Sequence, residues 1–224
     1  MVDLFAQVFY DRVMMLQGSL LDQVEEVGLR TLGTSVRRTV LTHGAWVDVR
    51  PGWLTGADEL FARLTLGGTA GVEWHGERRQ MWDREVDTPR LLRFYGEGEG
   101  WPDPVLPRAR QELSRHYAAE LGEPFRTAGM CLYRDGRDSV AWHGDTIGRS
   151  RTEDTLVAIV SLGAPRPLLL RPRRGGETHQ YTVGHGDLLV MGGSCQRTWE
   201  HAIPKTARPV GPRISVQFRP RGVR

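Results

Sequence analysis

The chain has 224 residues, of which 39% are hydrophobic and 25% are charged, and this balance predicts one globular domain rather than a disordered chain. The net charge of +3 is too small to establish a polyanionic partner by itself, and two cysteines are too few for a disulfide framework. No apolar run approaches the roughly 20 residues that span a bilayer, and the first residues lack the pattern of a secretory signal. We therefore expect a cytoplasmic protein without a membrane segment.

Residues 1–38 show short apolar patches without a sustained period, which predicts an N-terminal extension that is partly flexible. A single domain is expected over residues 39–224. Its first helix is predicted in "TGADELFARLTL", where apolar residues follow Thr55 at helical spacing. A second apolar stripe predicts a helix from Leu106 to Leu121, with Gly122 placed where a helix would stop.

After Pro124 the sequence changes to short apolar segments that are separated by glycine and proline. This spacing predicts a β-sandwich or jelly roll rather than alternating strands and helices. The segment "TLVAIVSLG" is apolar at nearly every position, which is typical of a strand in the middle of a sheet. The predicted fold class is mainly β (α+β), with the N-terminal helices buttressing one side.

The triplet "HGD" occurs twice, as His143 to Asp145 and as His185 to Asp187. A histidine and an aspartate two residues apart on an extended segment project to the same side, and two histidines with one carboxylate can hold a divalent metal. His201 follows the second triplet by only 14 residues, which suits a hairpin, whereas the 56 residues after Asp145 can cross a sandwich and return. We predict His143, Asp145 and His201 as ligands; the alternative is that all three are ordinary loop and strand residues.

The last predicted strand, "RISVQFR", has a polar face and an apolar face. The polar face comprises Arg213, Ser215, Gln217 and Arg219. Arginines on a strand that is otherwise packed by apolar residues need an anion, and a guanidinium matches a carboxylate well. A dicarboxylate cosubstrate is therefore expected, unless the arginines pair with acidic residues of a neighbouring strand. Cys131 and Tyr133 share one face of an earlier strand.

Taken together, "CLY" at 131–133, "HGD" at 143–145, His201 and "RISVQFR" at 213–219 resemble the AlkB-like family of Fe(II)/2-oxoglutarate-dependent dioxygenases. The family pattern is Asn-x-Tyr, His-x-Asp, a distal His and Arg-x-Asn-x-Thr-x-Arg, and the likeness covers roughly residues 80–220. The resemblance implies a double-stranded β-helix, which is a form of jelly roll. It also implies a nucleotide-recognition lid, which we place at about 74–104, and a catalytic β core at about 124–221.

The resemblance also assigns roles to individual residues. It implies Fe(II) ligation by His143, Asp145 and His201, with 2-oxoglutarate and dioxygen as cosubstrates. Arg213 is then expected to bind the distal carboxylate of 2-oxoglutarate, with Tyr133 hydrogen-bonding to it. Further contacts in the cosubstrate site are expected from Cys131, Ser215, Gln217 and Arg219.

Three departures from the family pattern stand out. Cys131 replaces the Asn of Asn-x-Tyr, and Ser215 and Gln217 replace the Asn and Thr between the two arginines. The family often has acidic residues directly after His-x-Asp, whereas this chain continues with Thr146. These changes affect the cosubstrate contacts and the recognition of a particular base.

The implied reaction is the oxidative demethylation of N-alkylated bases in DNA, of the 1-methyladenine and 3-methylcytosine type, with loss of formaldehyde. The alternatives are a hydroxylase or demethylase that acts on RNA, protein or a small molecule, and a non-catalytic binding sandwich. A base substrate must leave its stack and enter a pocket. Substrate contacts are expected from Trp82, Arg90, Tyr95, Trp101 and Thr146, although such aromatics are more often core residues.

The stretch "QGSLLDQ" in the N-terminal extension resembles the short peptide with which bacterial repair proteins dock on the replicative sliding clamp. Gln17 would supply a hydrogen bond, and Leu20 and Leu21 would supply apolar anchors. Such peptides also arise by chance. The expected partners are therefore nucleic acid and a sliding clamp, and the protein is expected to be a monomer.

Overall fold

The computed structural model describes residues 25–65, 71–81, 84–146 and 151–223. Over these residues the strands are β1 (Gly28–Leu29), β2 (Arg37–Val40), β3 (Ala45–Arg50), β4 (Leu54–Thr55), β5 (His75–Met81), β6 (Arg84–Tyr95), β7 (Thr127–Tyr133), β8 (Val140–His143), β9 (Val157–Gly163), β10 (Arg166–Pro172), β11 (His179–Val183), β12 (Leu188–Gly193), β13 (Trp199–Ile203) and β14 (Arg213–Arg219). The helices are α1 (Ala57–Thr65), α2 (Val105–His116), α3 (Ala118–Leu121) and α4 (Cys195–Thr198).

Two antiparallel sheets make up the body of the protein. The larger sheet has the order β2-β3-β12-β9-β14-β7-β6-β5, and the smaller one has the order β11-β10-β13-β8. One apolar cluster takes residues from both sheets, among them Ile159 and Leu189 from the larger and Leu168 and Leu170 from the smaller. The predicted mainly β, jelly-roll fold is confirmed.

The central strands have the burial that their sequences predict. Strand β9 is buried at six of its seven positions and lies between β12 and β14, so the expected mid-sheet position is confirmed. On β14 the apolar residues Ile214, Val216 and Phe218 belong to a second core cluster. The polar residues of β14 must therefore face the space between the two sheets, because strand side chains alternate.

Helices α1 and α2 cover the larger sheet on its outer side. Leu60 and Leu64 of α1 and Leu113 of α2 are fully buried in the same cluster as Phe218, and truncating one of them to alanine would cost about 2–5 kcal/mol. The predicted second helix is interrupted at Tyr117, whose hydroxyl donates to buried Asp48 at 3.0 Å. None of the helices in the described part of the chain is long and apolar enough to cross a membrane.

The predicted boundary between extension and domain falls inside a strand. Strand β2, residues 37–40, pairs with β3 in the larger sheet, and β1 pairs with β4. Residues from Gly28 onward therefore belong to the folded domain, which begins earlier than residue 39. Sequence reasoning missed this because β2 is exposed along its length and has no apolar alternation.

Candidate metal centre and adjoining cavity

His143, Asp145 and His201 form a cluster with the geometry of a metal site. One ligand atom from each lies within 4.8 Å of the others. His143 ends β8, Asp145 follows two residues later, and His201 lies on the neighbouring strand β13 directly opposite His143. The pairing of β8 with β13 thus brings together two histidines that are 58 positions apart in the sequence.

The hydrogen bond of His143 and the electrostatics of Asp145 and His201 suit a divalent cation. The Nδ1 of His143 lies 2.9 Å from the carbonyl oxygen of Ala141, so it donates there and leaves Nε2 for a metal. Burial, together with the nearby imidazole of His143, lowers the pKa of His201 to about 3, so its ring is neutral at neutral pH. Burial is the largest single influence on Asp145 and would raise its pKa, but the charge of Arg219, the two nearby imidazoles and the hydrogen bond from Arg219 together lower the pKa to about 2.

Two neighbours fix the position of Asp145. The Nε of Arg219 donates to the carboxylate of Asp145 at 2.7 Å. The backbone N–H of Asp145 donates to the side-chain oxygen of Gln196 at 2.9 Å. Gln196 is 1% exposed and comes from α4, just before the strand that carries His201. Such outer partners orient ligands and tune metal affinity. Gln196 carries no signal in the sequence, because only the fold brings it to Asp145.

A cavity of about 80 Å³ extends from the metal cluster between the two sheets. Its wall carries Arg213, Ser215, Gln217 and Arg219 from β14 and Cys131 and Tyr133 from β7, so the predicted shared faces of both strands are confirmed. Apolar residues complete the wall: Val140, Val157, Ile159, Leu168 and Ile203. The cavity can therefore enclose a small ligand that reaches from the metal to β14.

Arg213 supplies a buried positive charge at the cavity wall. It is 1% exposed, and its Nε donates to the hydroxyl of Ser161 at 2.9 Å. Its Nη1 is buried and has no hydrogen-bond partner among the described residues. Burial lowers the pKa of Arg213 and raises the pKa of Tyr133, whose ring lies 5.3 Å from the guanidinium, to about 12. An unsatisfied guanidinium beside a protonated phenol fits the distal carboxylate of 2-oxoglutarate.

Three of the residues that depart from the family pattern, Cys131, Ser215 and Gln217, bond to one another. The amide nitrogen of Gln217 donates to the hydroxyl of Ser215 at 2.5 Å, and the thiol of Cys131 donates to the amide oxygen of Gln217 at 3.8 Å. The substitutions thus satisfy each other's polar atoms. Arg213 and Tyr133 remain available for a ligand.

The second triplet is a turn, as its glycine context predicts. The carboxylate of Asp187 accepts the backbone N–H groups of Gly52 and Gly184, each at 2.8 Å. Gly186 has a φ of 78°, which suits glycine, and the Nδ1 of His185 accepts the N–H of Gly163 at 2.7 Å. This triplet holds loops together and is absent from the metal cluster.

Two of the predicted substrate contacts are instead core residues. Tyr95 is 5% exposed and lies on the face of β6 opposite Leu92 and Phe94. The ring of Trp101 packs 5.7 Å from the ring of Phe218, in the core under the helices. Neither lines the cavity or the groove that leads to it, so their expected stacking role is corrected to a packing role.

The other predicted substrate residues have different locations. Arg90 lines the cavity, and its Nη1 donates to the carbonyl of Ser139 at 3.0 Å. Thr146 borders the outer groove. Trp82 and the segment from Gln17 to Leu21 lie outside the described residues.

A wide groove connects the metal cluster to the surface. It has a volume of about 1210 Å³ and runs between the β5–β6 hairpin and the smaller sheet. Its walls include Phe94, which is 38% exposed, and Trp142. The guanidinium carbon of Arg171 lies 4.0 Å from the centre of the Trp142 ring. Trp142 was not expected from the sequence, although its position next to His143 could have suggested it.

Fold and site together define a class: a jelly-roll, metal-dependent oxygenase with a subsite for the carboxylate of a cosubstrate. Comparison with known proteins agrees, because residues 95–219 match the family model for the 2OG-Fe(II) oxygenase superfamily. Human alkB homolog 3, an alpha-ketoglutarate-dependent dioxygenase, is 29% identical over 215 residues, which cover 88% of this chain and 70% of the human protein. The mouse protein is 30% identical over 212 residues, with the same coverage.

The bovine DNA oxidative demethylase ALKBH2 is 30% identical over 184 residues, covering 73% of this chain and 64% of that protein. The solved structure of OsALKBH1 superimposes with a TM-score of 0.52 at 16% identity, covering 81% of this chain and all of that one, and it supports the fold. The chain belongs to the 2OG-Fe(II) oxygenase superfamily and, within it, to the AlkB-like dioxygenases. Its metal is Fe(II), and its cosubstrates are 2-oxoglutarate and dioxygen.

Proposed function

We propose that this protein removes N-linked methyl groups from DNA bases of the 1-methyladenine and 3-methylcytosine type. When bound, Fe(II) with 2-oxoglutarate and dioxygen supplies the oxidant that hydroxylates a C–H bond. Hydroxylation of an N-methyl group gives a carbinol that breaks down to formaldehyde and the unmodified base. Succinate and carbon dioxide are the products from 2-oxoglutarate.

The observation that carries this proposal is the groove over the metal cluster. Its volume of about 1210 Å³ lies just above the roughly 300–1,000 Å³ of a small-molecule pocket. Its walls combine the aromatic Phe94 and Trp142 with the basic Arg90, Arg93 and Lys205. Aromatic and basic groups together suit a nucleotide that is turned out of its stack while the neighbouring phosphates stay at the rim. The β5–β6 hairpin would then serve as the nucleotide-recognition lid.

Each part of the site has a defined task in this reaction. His143, Asp145 and His201 would hold the metal, and Arg219 keeps Asp145 ionised. Arg213 and Tyr133 would hold the distal carboxylate of the cosubstrate, with supporting polar contacts from Cys131, Ser215, Gln217 and Arg219. The apolar wall excludes water, which protects the oxidant from side reactions.

Arg90 and Thr146 lie where the cavity meets the groove, so we assign them to the flipped base. The relatives support a nucleic-acid substrate, because several are DNA oxidative demethylases by name. A cytoplasmic setting is consistent with the two cysteines, Cys131 and Cys195, which are both free thiols.

The test is product formation with defined oligonucleotides. Succinate and formaldehyde are measured with single- and double-stranded DNA that contains 1-methyladenine or 3-methylcytosine, with the same sequences unmethylated, and with methylated RNA. We expect formaldehyde only with methylated substrate and most of it with DNA. Formaldehyde from methylated RNA alone would identify RNA as the substrate. The absence of formaldehyde with every oligonucleotide would favour a protein or small-molecule substrate.

The repeated triplet offers a matched control. His143→Ala removes a metal ligand and should abolish both products, whereas His185→Ala removes only a turn contact and should retain them. Equal losses in the two variants would contradict the assignment of the first triplet as the metal site.

A further inference from the structure

A second buried arginine lies close to the cosubstrate cavity. Arg166 is the first residue of β10 and is 1% exposed. Its guanidinium donates to three backbone carbonyls, those of Asp135 at 3.0 Å, Asp138 at 3.0 Å and Pro204 at 2.7 Å. Its Nε is buried without a hydrogen-bond partner in the described part of the chain. The side chain is therefore held rigidly, by acceptors that carry no net charge.

The nearby carboxylates are committed to other arginines. The side chain of Asp138 pairs with Arg134 at 2.8 Å, and that of Asp135 pairs with Arg137 at 2.7 Å. Among the described residues, none forms an ion pair with Arg166. A buried cation without a counterion costs several kcal/mol, which carbonyl dipoles offset only in part. Burial accordingly lowers the pKa of Arg166.

Arg166 shares its environment with Arg213. The ring of Tyr133 lies 5.8 Å from the guanidinium carbon of Arg166 and 5.3 Å from that of Arg213. Two buried cations thus contact one ring, and their mutual repulsion contributes to the lowered pKa of Arg213. Only Arg213 lines the cavity, so Arg166 has no direct contact with a ligand there.

We propose that Arg166 is a positioning residue for the cosubstrate, whose charge acts across the ring of Tyr133 on the distal carboxylate bound by Arg213. An anion that enters the cavity meets the field of two cations, and it relieves the repulsion between them. The effect requires a negative charge at the far end of the ligand. Arg166 should therefore favour a dicarboxylate over a 2-oxo acid that lacks the second carboxylate.

The hydrogen bonds of Arg166 explain how this charge is kept in place. Asp138 lies just before β8, which carries His143, and Pro204 lies just after β13, which carries His201. The guanidinium thus joins the ends of both strands that bear histidine ligands. Its position relative to the metal cluster and to Tyr133 is fixed before any ligand binds, so the field requires no rearrangement.

The test measures binding rather than turnover. The full chain is loaded with Mn(II), and calorimetric titration gives the Kd of 2-oxoglutarate and of 2-oxopentanoate, which has a methyl group in place of the distal carboxylate. Arg166→Gln retains donors for the carbonyls but removes the charge. We expect it to weaken 2-oxoglutarate binding about 6- to 16-fold, the size expected for a charge roughly 10 Å away at an effective dielectric constant of about 20–30. Binding of 2-oxopentanoate should not change.

Two further variants complete the design. Arg166→Lys retains the charge and should retain the preference for 2-oxoglutarate, and Arg137→Gln removes an exposed charge from the same loop and should change neither Kd. If Arg166→Gln weakens the binding of both ligands equally, the role of Arg166 is purely structural. If it weakens the binding of neither, the charge of Arg166 does not act on the distal carboxylate. If Arg166→Gln does not fold, loss of the preference in Arg166→Lys overturns the proposal and its retention supports it.

Discussion

Replacing Arg213 by methionine should stabilise the ligand-free protein while it abolishes cosubstrate binding. The guanidinium is 1% exposed, and its Nη1 has no partner among the described residues. Burying such a charge costs several kcal/mol, of which the hydrogen bond to Ser161 returns about 1.5–3 kcal/mol. Methionine removes that cost and fills most of the space, so we expect a gain of about 1–2 kcal/mol, or a rise in Tm of roughly 2–8 °C for a domain of this size.

The assay is urea unfolding of wild type and Arg213→Met, first without metal and cosubstrate. With Mn(II) then present in both samples, adding 2-oxoglutarate at about 100 times its Kd should stabilise wild type by about 2.7 kcal/mol and should leave the variant nearly unchanged. The order of stability therefore reverses when the cosubstrate is added.

Arg38→Met provides the matched control. Arg38 donates through two nitrogens, each at 2.8 Å, to Asp48, which is 2% exposed. Its removal leaves a buried carboxylate whose one remaining side-chain donor among the described residues is the hydroxyl of Tyr117. Because Arg38 itself is partly exposed, we expect a loss of stability of about 2–4 kcal/mol. A loss of stability in ligand-free Arg213→Met that matches this control would refute the view that Arg213 lacks a counterion.

Gln196→Ala removes the acceptor for the backbone N–H of the ligand aspartate and should weaken Mn(II) binding about 10- to 100-fold in a titration; unchanged affinity would show that this contact is dispensable. Gly129→Ala would place a Cβ 2.8 Å from an Nη of Arg219, so the guanidinium should move away from Asp145 and succinate formation should slow. A fully active variant would contradict this. Leu20→Ala with Leu21→Ala should abolish binding to a bacterial sliding clamp in a pull-down, and equal binding by both forms would refute the docking hypothesis.

The parts of the site that depend on local alternation could be predicted from the sequence. The period of two over residues 213–219 placed Arg213 on the cavity face and Phe218 in the core, and both positions are confirmed. The first triplet was chosen over the second as the partner of His201 by chain length, and in the structure β8 pairs with β13 so that His143 lies opposite His201.

The residues that sequence reasoning missed are those that only the three-dimensional fold brings to the site. Tyr95 was selected for its residue type, but Arg90 and Tyr95 are an odd number of positions apart and so lie on opposite faces of β6. Ser161 could have been noticed as the only polar side chain of β9, yet its partner Arg213 is 52 residues away. Gln196 and Arg166 act through backbone groups of distant segments, which have no sequence signature.

The division of the site between the two sheets has a consequence for ligand size. Both histidines belong to the smaller sheet, whereas Arg213 and Tyr133 belong to the larger one. A molecule that binds the metal at one end and Arg213 at the other must span the distance between the two packed sheets. The spacing of the sheets therefore selects the length of the ligand's carbon chain. A four-carbon or a six-carbon homologue of 2-oxoglutarate should reach only one of the two anchors without strain, and the core that sets the sheet spacing thereby takes part in substrate selection.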